Sequence, residues 1–479
     1  MEYYSANNAY QNTALLGFRT FYKFNRGGGW GSNPKSFAIE PFSAIKTRFE
    51  TGQSNEEKRK KDDRPIRTMF IGANEMQVRE VDRKHKIETN VTYFVLPEED
   101  IGAFVKRTTI TNLDESKLHI SILDGLPRIQ PVGGKLNALL KSIGRTLEGF
   151  MGVYEADDNT MPFFRLSTEP ADTAAVVLGE AGNFVLSYIE NEEHRLLPIV
   201  HDTSELFGHD TSLIWPYKLE EMAIKDIING VQYGAAKTSC AFAAVEGVTL
   251  NPGESVTVSS FYGKANTITD VPIIARRVSQ VGFVEYKFRR ARELIQQVIS
   301  GVQTSTQNKL FDAHVQQMYM DNSLRGGIPI ILGEVDDTAR SANSDDDNRI
   351  KVYHLFSRIH GDLERDYNNF ILSPTYFSQG PGNFRDVAQN RRNDVIINPR
   401  VGSHNIKIFL SLLQADGYNP LSVESVVFTI DNINECERLA IMAVGPADGH
   451  RRQREAYVKK LFVVCIRVLT IILPQYVFL

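Results

Sequence analysis

From about residue 68 to 265, short runs of β-branched and aromatic residues recur with turn chemistry between them. Residues 91–96 (VTYFVL) and 104–111 (FVKRTTIT) lie either side of a Pro-Glu-Glu-Asp-Ile-Gly break, and 118–123, 184–189 and 256–262 repeat the style. Such runs favour strands, and Asn112-Leu-Asp-Glu and Asn251-Pro-Gly-Glu supply turns between them. Strands this numerous, without regular helices between them, predict stacked antiparallel sheets rather than a parallel βαβ array.

From about residue 272 the period changes. Over 273–300 apolar residues recur at three and four, with charges elsewhere, and 309–324 repeats the pattern, which predicts helices. Residues 336–348, rich in Asp, Asn and Ser, read as a surface loop. Segments 406–414 and 420–430 read as further helical or mixed elements. The expected fold class is multidomain β plus α. An antiparallel β-sandwich spans 68–270, a helical linker 271–305 and a helical domain 306–435. An amino-terminal extension, partly loop, covers 1–67, and an anomalous tail covers 436–479.

Composition narrows the class. The chain has 479 residues, 42% hydrophobic and 23% charged, as soluble globular proteins have, and is long enough for two or three domains. A net charge of −4 implies no bulk attraction to nucleic acid or anionic membrane. Three scattered cysteines form neither a disulfide framework nor a zinc spacing, and a reducing cytoplasm is the simplest setting. Residues 1–18 lack the basic start and apolar core of a secretory signal. The run 461–479, LFVVCIRVLTIILPQYVFL, approaches membrane-spanning length, but Arg467 and Pro474 interrupt it; a buried element or a non-native tail is favoured over an anchor. Arg26-Gly-Gly-Gly-Trp-Gly offers an aromatic, Trp30, that can stack on a sugar. It lacks the order and the lysine of a phosphate loop. The mixed charge run 56–64 reads as a solvated loop.

The stretch with the most chemistry is 378–394, SQGPGNFRDVAQNRRND. Glycines that let backbone approach a ligand precede Arg385, Asp386, Gln389, Asn390, Arg391 and Arg392. One carboxyl group is thus surrounded by amide and guanidinium donors. Such groups suit sugar hydroxyls, which both donate and accept, and a lone acid beside them suits proton delivery to a glycosidic oxygen. A polar, solvated loop is the plain alternative.

Three segments carry a family resemblance: DNSLRGGIPI at 321–330, FSRIHGDLERDYNNF at 356–370 and FSQGPGNFRDVAQNRRNDV at 377–395. With 90–112 and 250–265 upstream, the chain over about 68–430 resembles the inverting glycoside phosphorylases of the cellobiose phosphorylase family, most closely the 1,2-β-oligoglucan branch. The resemblance implies a galactose-mutarotase-like β-sandwich, a helical linker and an (α/α)6 barrel. It also implies a cytoplasmic glycosyltransferase of carbohydrate metabolism that cleaves β-glucan reversibly with phosphate. No cofactor is expected; inorganic phosphate is the co-substrate and a β-glucan oligosaccharide the partner. Because phosphate is already an anionic nucleophile, one carboxylic acid suffices, and Asp386 matches the family's general acid. By the same resemblance, Arg385 and Gln389 shape the donor subsite with Asn390, and Arg358, Asp362, Arg365 and Asp366 suit sugar hydroxyls. Salt bridges inside a barrel explain the last four equally well. Arg325, Arg391 and Arg392 are candidates for phosphate; a helix C-cap accounts for Arg325 equally. His360 and His404 are assigned nothing.

The chain also departs from the family. Members continue further and draw phosphate ligands, a histidine and a Thr-Gly loop, from a part with no counterpart here. A fragment or disrupted gene product, with little turnover and an exposed apolar surface, is therefore expected. Two other classes stay open: an inverting hydrolase with Asp362 or Asp366 as base, and a non-catalytic carbohydrate-binding remnant.

Overall fold

The computed structural model describes residues 17–26, 36–43, 64–99, 101–129, 144–156, 159–168, 176–190, 195–332, 351–355 and 375–423, with 174 and 434. The chain divides into two compact units, at 293/294.

The first unit holds thirteen described strands: β1 (Arg19–Arg26), β2 (Phe37–Ile39), β3 (Ile66–Ile71), β4 (Glu75–Asp82), β5 (Ile87–Val95), β6 (Ala103–Asn112), β7 (Leu118–Ile129), β8 (Met151–Glu155), β9 (Pro162–Leu166), β10 (Gly182–Ile189), β11 (Ile199–Val200), β12 (Ser239–Leu250) and β13 (Ser255–Ala265). They form a five-stranded sheet, β11-β12-β7-β1-β2, and an eight-stranded sheet, β3-β4-β5-β6-β13-β10-β9-β8. Every pairing between them is antiparallel. The sheets pack face to face. Tyr22, Ile120, Ile122 and Val245 of the smaller sheet meet Ile87, Ile110, Val185 and Val258 of the larger. The expected antiparallel sandwich is the fold of this unit.

Both outer faces are covered as well. Three short helices, α1 (Thr203–Phe207), α2 (Tyr217–Glu221) and α3 (Ile224–Ile228), lay Leu206, Phe207, Leu219 and Ile227 on Phe21, Leu123 and Phe242 of the smaller sheet. On the larger sheet, α4 (Val271–Val278) and the start of α5 (Phe283–Ile299) cover Phe94, Val105, Phe184 and Phe261. This explains the sequence texture: strands buried on both faces read as continuous apolar runs. The buried run Ser239–Val245 of β12 is one such case. Gly125 of β7 fits only because it has no side chain. A Cβ there would lie 1.8 Å from the Ala241 carbonyl oxygen across the β7–β12 ladder.

Two expectations need correction. The sandwich does not begin at 68, since β1 is paired along its length with β7 and sits inside the smaller sheet. The strands are also not free of helices, because α1–α3 fall between β11 and β12. The helical stretch expected from 273 is present but broken at 279–282, where Gly282 takes φ 78°. Only glycine adopts that conformation without strain.

The second unit contains the end of α5, α6 (Lys309–Gly326), the ribbon β14 (Ile328–Leu332) with β15 (Lys351–Leu355), and the ribbon β16 (Gly382–Asn383) with β17 (Ser422–Val423). Between β16 and β17 run α7 (Phe384–Arg391), α8 (Asp394–Ile397) and α9 (His404–Ser411). Ile295, Val298 and Ile299 pack on Met320, Ile330, Tyr353 and Leu355. Leu310, Ile396, Ile406, Leu410 and Leu421 are exposed. The 336–348 loop, most of 420–430 and the 461–479 run lie outside the described residues. Among the described residues no helix is long and apolar enough to cross a membrane.

Candidate active site around a buried aspartate

The Gly-Pro-Gly run shapes the approach to α7. The Gly380 amide donates to the Phe377 carbonyl at 2.9 Å, and its φ of 93° is one that favours glycine. The chain then pairs as β16 with β17 and enters α7 through Asn383, whose side chain accepts from the Arg385 amide at 3.0 Å. That is an N-cap, satisfying one of the amides a helix start leaves free. Val387 packs with Phe377 and Val423, and Phe384 meets the edge of Phe409 at 5.5 Å.

Asp386 sits in the first turn of α7. Its side chain is 9% exposed, and the Arg385 Nε, on a largely exposed side chain, lies 3.0 Å from Oδ1. Around the helix the candidates divide by exposure. Arg385, Gln389 and Arg392, spaced i, i+4 and i+7, are exposed; Asn390 is half-buried. Arg391 is fully buried.

Arg391 belongs to a network that the sequence reading missed. Asp394 in the first turn of α8 is fully buried, and its Oδ2 accepts from His354 Nε2 at 2.9 Å and from Asn405 Nδ2 at 2.7 Å. Arg391 Nε lies 3.7 Å from the same oxygen. None of the three Arg391 guanidinium nitrogens has a hydrogen-bond partner among the described residues, nor does Asp394 Oδ1. His354, on β15, stacks on Phe377 at 5.2 Å. His354 Nδ1 also lies 3.0 Å from the Tyr376 carbonyl, so both ring nitrogens face acceptors, while burial, reinforced by the Arg391 charge, pulls the imidazole down to about 4. Burial and the Lys351 charge likewise lower His404. Asp394 lay within the quoted motif, three residues after Arg391, a helical spacing that could have marked it. His354 had no local signal.

Arg358, Asp362, Arg365, Asp366 and His360 lie outside the described residues. Arg325 falls in the last turn of α6. Among the described residues no cluster of three or more His, Cys, Asp or Glu side chains is arranged to hold a metal ion.

No protein-family model matches the chain, and no curated protein matches it. Solved structures similar to it include the following three. A bacterial glucoamylase complexed with acarbose is 8% identical with a TM-score of 0.29, over 64% of this chain and 35% of that one. A Klebsiella pneumoniae chain assigned as an aldose 1-epimerase is 11% identical with a TM-score of 0.21, over 45% and 58%. A chain from the human microbiome assigned as a kojibiose phosphorylase is 6% identical with a TM-score of 0.18, over 54% and 26%. This chain thus spans between 26% and 58% of the length of these structures. Scores this low carry no residue-level correspondence.

Proposed function

We propose that the chain is a carbohydrate-active enzyme of the glycoside phosphorylase type, acting on β-glucan, with β-1,2-linked oligoglucans as its substrate class. The observation that carries this reading is Asp386. It is a single carboxylic acid, capped into the first turn of α7 and nearly covered, with a mobile-length guanidinium on its oxygen. In the proposed step Asp386 gives its proton to the glycosidic oxygen as the C1–O bond breaks. A phosphate oxygen forms the new bond from the opposite face, so the products are α-glucose 1-phosphate and a glucan one residue shorter. The attacking phosphate needs no second carboxylate, whereas a water molecule would. The other carboxylate close along the chain, Asp394, is fully buried and engaged by His354 and Asn405, which suits a structural role rather than that of a base. Arg385 and Gln389 are assigned to sugar hydroxyls, with Asn390. Arg392 is exposed at the end of α7 and remains a candidate for phosphate, as does Arg325. Arg391 is assigned instead to holding the helix.

The test is release of α-glucose 1-phosphate from β-1,2-glucan by the full chain, with and without phosphate, against Asp386→Asn. Phosphate-dependent release that the variant lacks supports the reading. Turnover by this chain is expected to be low; the phosphate-dependent release it does show should fall about 10²–10⁴-fold in Asp386→Asn, the usual contribution of general acid catalysis. Release of reducing sugar without phosphate would identify a hydrolase instead. Sugar binding with no turnover would leave a non-catalytic carbohydrate-binding protein.

A further inference from the structure

At the end of the sandwich where β1 and β2 meet the β4–β5 turn lies a cavity of about 340 Å³, within the size range of small-ligand sites. Its apolar wall is aromatic. Phe24 is buried, and Phe37, which is 44% exposed, stacks on it at 5.7 Å and 30°. The His85 ring lies 5.8 Å from Phe37 and is itself fixed by Nδ1, 3.0 Å from Asp82. An exposed ring backed by a second ring is a rigid platform for the flat C–H face of a sugar.

The polar rim is one-sided. Arg26, Lys84 and Lys86 line it against one carboxylate, Asp114, in a chain whose net charge is −4. Asp114 has three hydrogen bonds and an ion-pair contact, so little of its acceptor capacity is open. Its Oδ1 accepts from Lys86 Nζ at 2.8 Å and the Glu115 amide at 2.9 Å, and its Oδ2 from Ser116 Oγ at 2.9 Å beside Arg26 Nη1 at 3.3 Å. A carboxylate offers about four such positions. Arg26 is similarly spent on Asn112 Oδ1 and the His85 carbonyl, at 2.9 and 2.7 Å. Lys86, by contrast, is 57% exposed with one of its three N–H groups committed. The cavity therefore presents an aromatic face and cationic donors.

A neutral sugar, whose hydroxyls donate as well as accept, gains little from such a rim. We infer that this cavity binds an anionic monosaccharide, its pyranose ring on Phe37 and its phosphate or carboxylate group on Lys86. The site is built within the sandwich unit and does not depend on the role given to Asp386.

The test is calorimetric titration of the full chain with α-glucose 1-phosphate, glucuronate, glucose and inorganic phosphate. The same titrations are run on Phe37→Ala and Lys86→Met, both substitutions at exposed positions, with unchanged urea midpoints as the check on folding. At least one anionic sugar is expected to bind saturably, with glucose and phosphate each about tenfold weaker, and each variant should lose about tenfold. Comparing phosphate with carboxylate ligands identifies the preferred anion. Three outcomes overturn the inference: no saturable binding of either anionic sugar below ~20 mM, glucose or phosphate binding as tightly and being weakened by the same two substitutions, or anionic-sugar binding unaffected by both substitutions. α-Glucose 1-phosphate and phosphate are also ligands of the proposed phosphorylase site, so the two readings are separated by glucuronate, which is not, and by the Phe37→Ala and Lys86→Met variants, which leave Asp386 untouched.

Discussion

Replacing Lys106 by methionine should destabilise the sandwich far more than the small loss of packing alone would. Lys106 on β6 and Asp124 on β7 are 1% and 0% exposed and form an ion pair between the two sheets. Thr20 Oγ1 on β1 donates to Asp124 Oδ1 at 2.6 Å, and Thr108 Oγ1 to Oδ2 at 3.1 Å. Lys106 Nζ also reaches Thr20 Oγ1 at 3.1 Å. Methionine keeps most of the aliphatic stem, so the packing loss is small. What is lost is the countercharge, and a buried carboxylate without one costs about 3–5 kcal/mol. Trp215, buried among Phe21, Leu219 and Phe242, makes urea unfolding of this unit visible by fluorescence. With a urea slope of about 3 kcal/mol/M, the midpoint should fall by roughly 1–1.7 M. Lys106→Met with Asp124→Asn removes both charges and keeps a group for the two threonines. Replacing a whole buried pair is often close to neutral, so the double variant should recover most of the loss. A single variant within ~0.3 M of wild type, or a double variant as weak as the single, would refute the argument.

Three further outcomes follow from the same structure. Gly125→Ala should fold poorly or not at all. Its Cβ meets Ala241 and Phe242 backbone, which cannot swing aside, and overpacking of that kind costs about 1–3 kcal/mol or more; a soluble variant with an unchanged urea midpoint would contradict this. Acid should loosen the second unit. His354 binds a proton only near pH 4 when folded but near 6.5 when unfolded, so the unfolded chain takes up protons first and stability falls as pH drops through that window. Between pH 6.5 and 5 the loss should be about 2 kcal/mol, and His354→Gln should remove that part of the slope; an equal slope in the variant counts against it. His201 in the first unit, lowered to about 4 mainly by burial, should impose the same direction on the sandwich, read through Trp215 fluorescence and relieved in His201→Gln.

The sandwich was legible where strands alternate or run apolar between turn residues, as in β5, β6 and β13. It was not legible at β1. The run RTFYKFNR sends Phe21 to one face and Tyr22 and Phe24 to the other. Nothing local distinguishes that from an aromatic-rich loop; its pairing partner β7 lies about a hundred residues away. The helices α1–α3 were missed because five residues are too few to establish a 3.6 period. Of the site, Asp386 was visible because its partners are neighbours in sequence. The His354–Asp394 contact spans forty residues and is set by tertiary structure alone.

That contact also changes what the arginine pair in the motif means. As a sequence, Arg391 and Arg392 look like equivalent donors for an anion. In the fold they part: Arg392, just past the end of α7, is exposed, while Arg391 is buried 3.7 Å from Asp394. A buried guanidinium held only by one carboxylate at 3.7 Å is costly unless that carboxylate is itself fixed. His354 and Asn405 fix it, from β15 and α9. The helix is thereby tied at its far end through Arg391 and at its near end by the Asn383 cap and the β16–β17 pairing. For the general acid proposed above, placement within about 0.5 Å of its target is needed, and a helix tied at both ends would supply it. In the proposed reading the exposed Arg385, 3.0 Å from Asp386, is the group that would exchange its partner for a sugar hydroxyl.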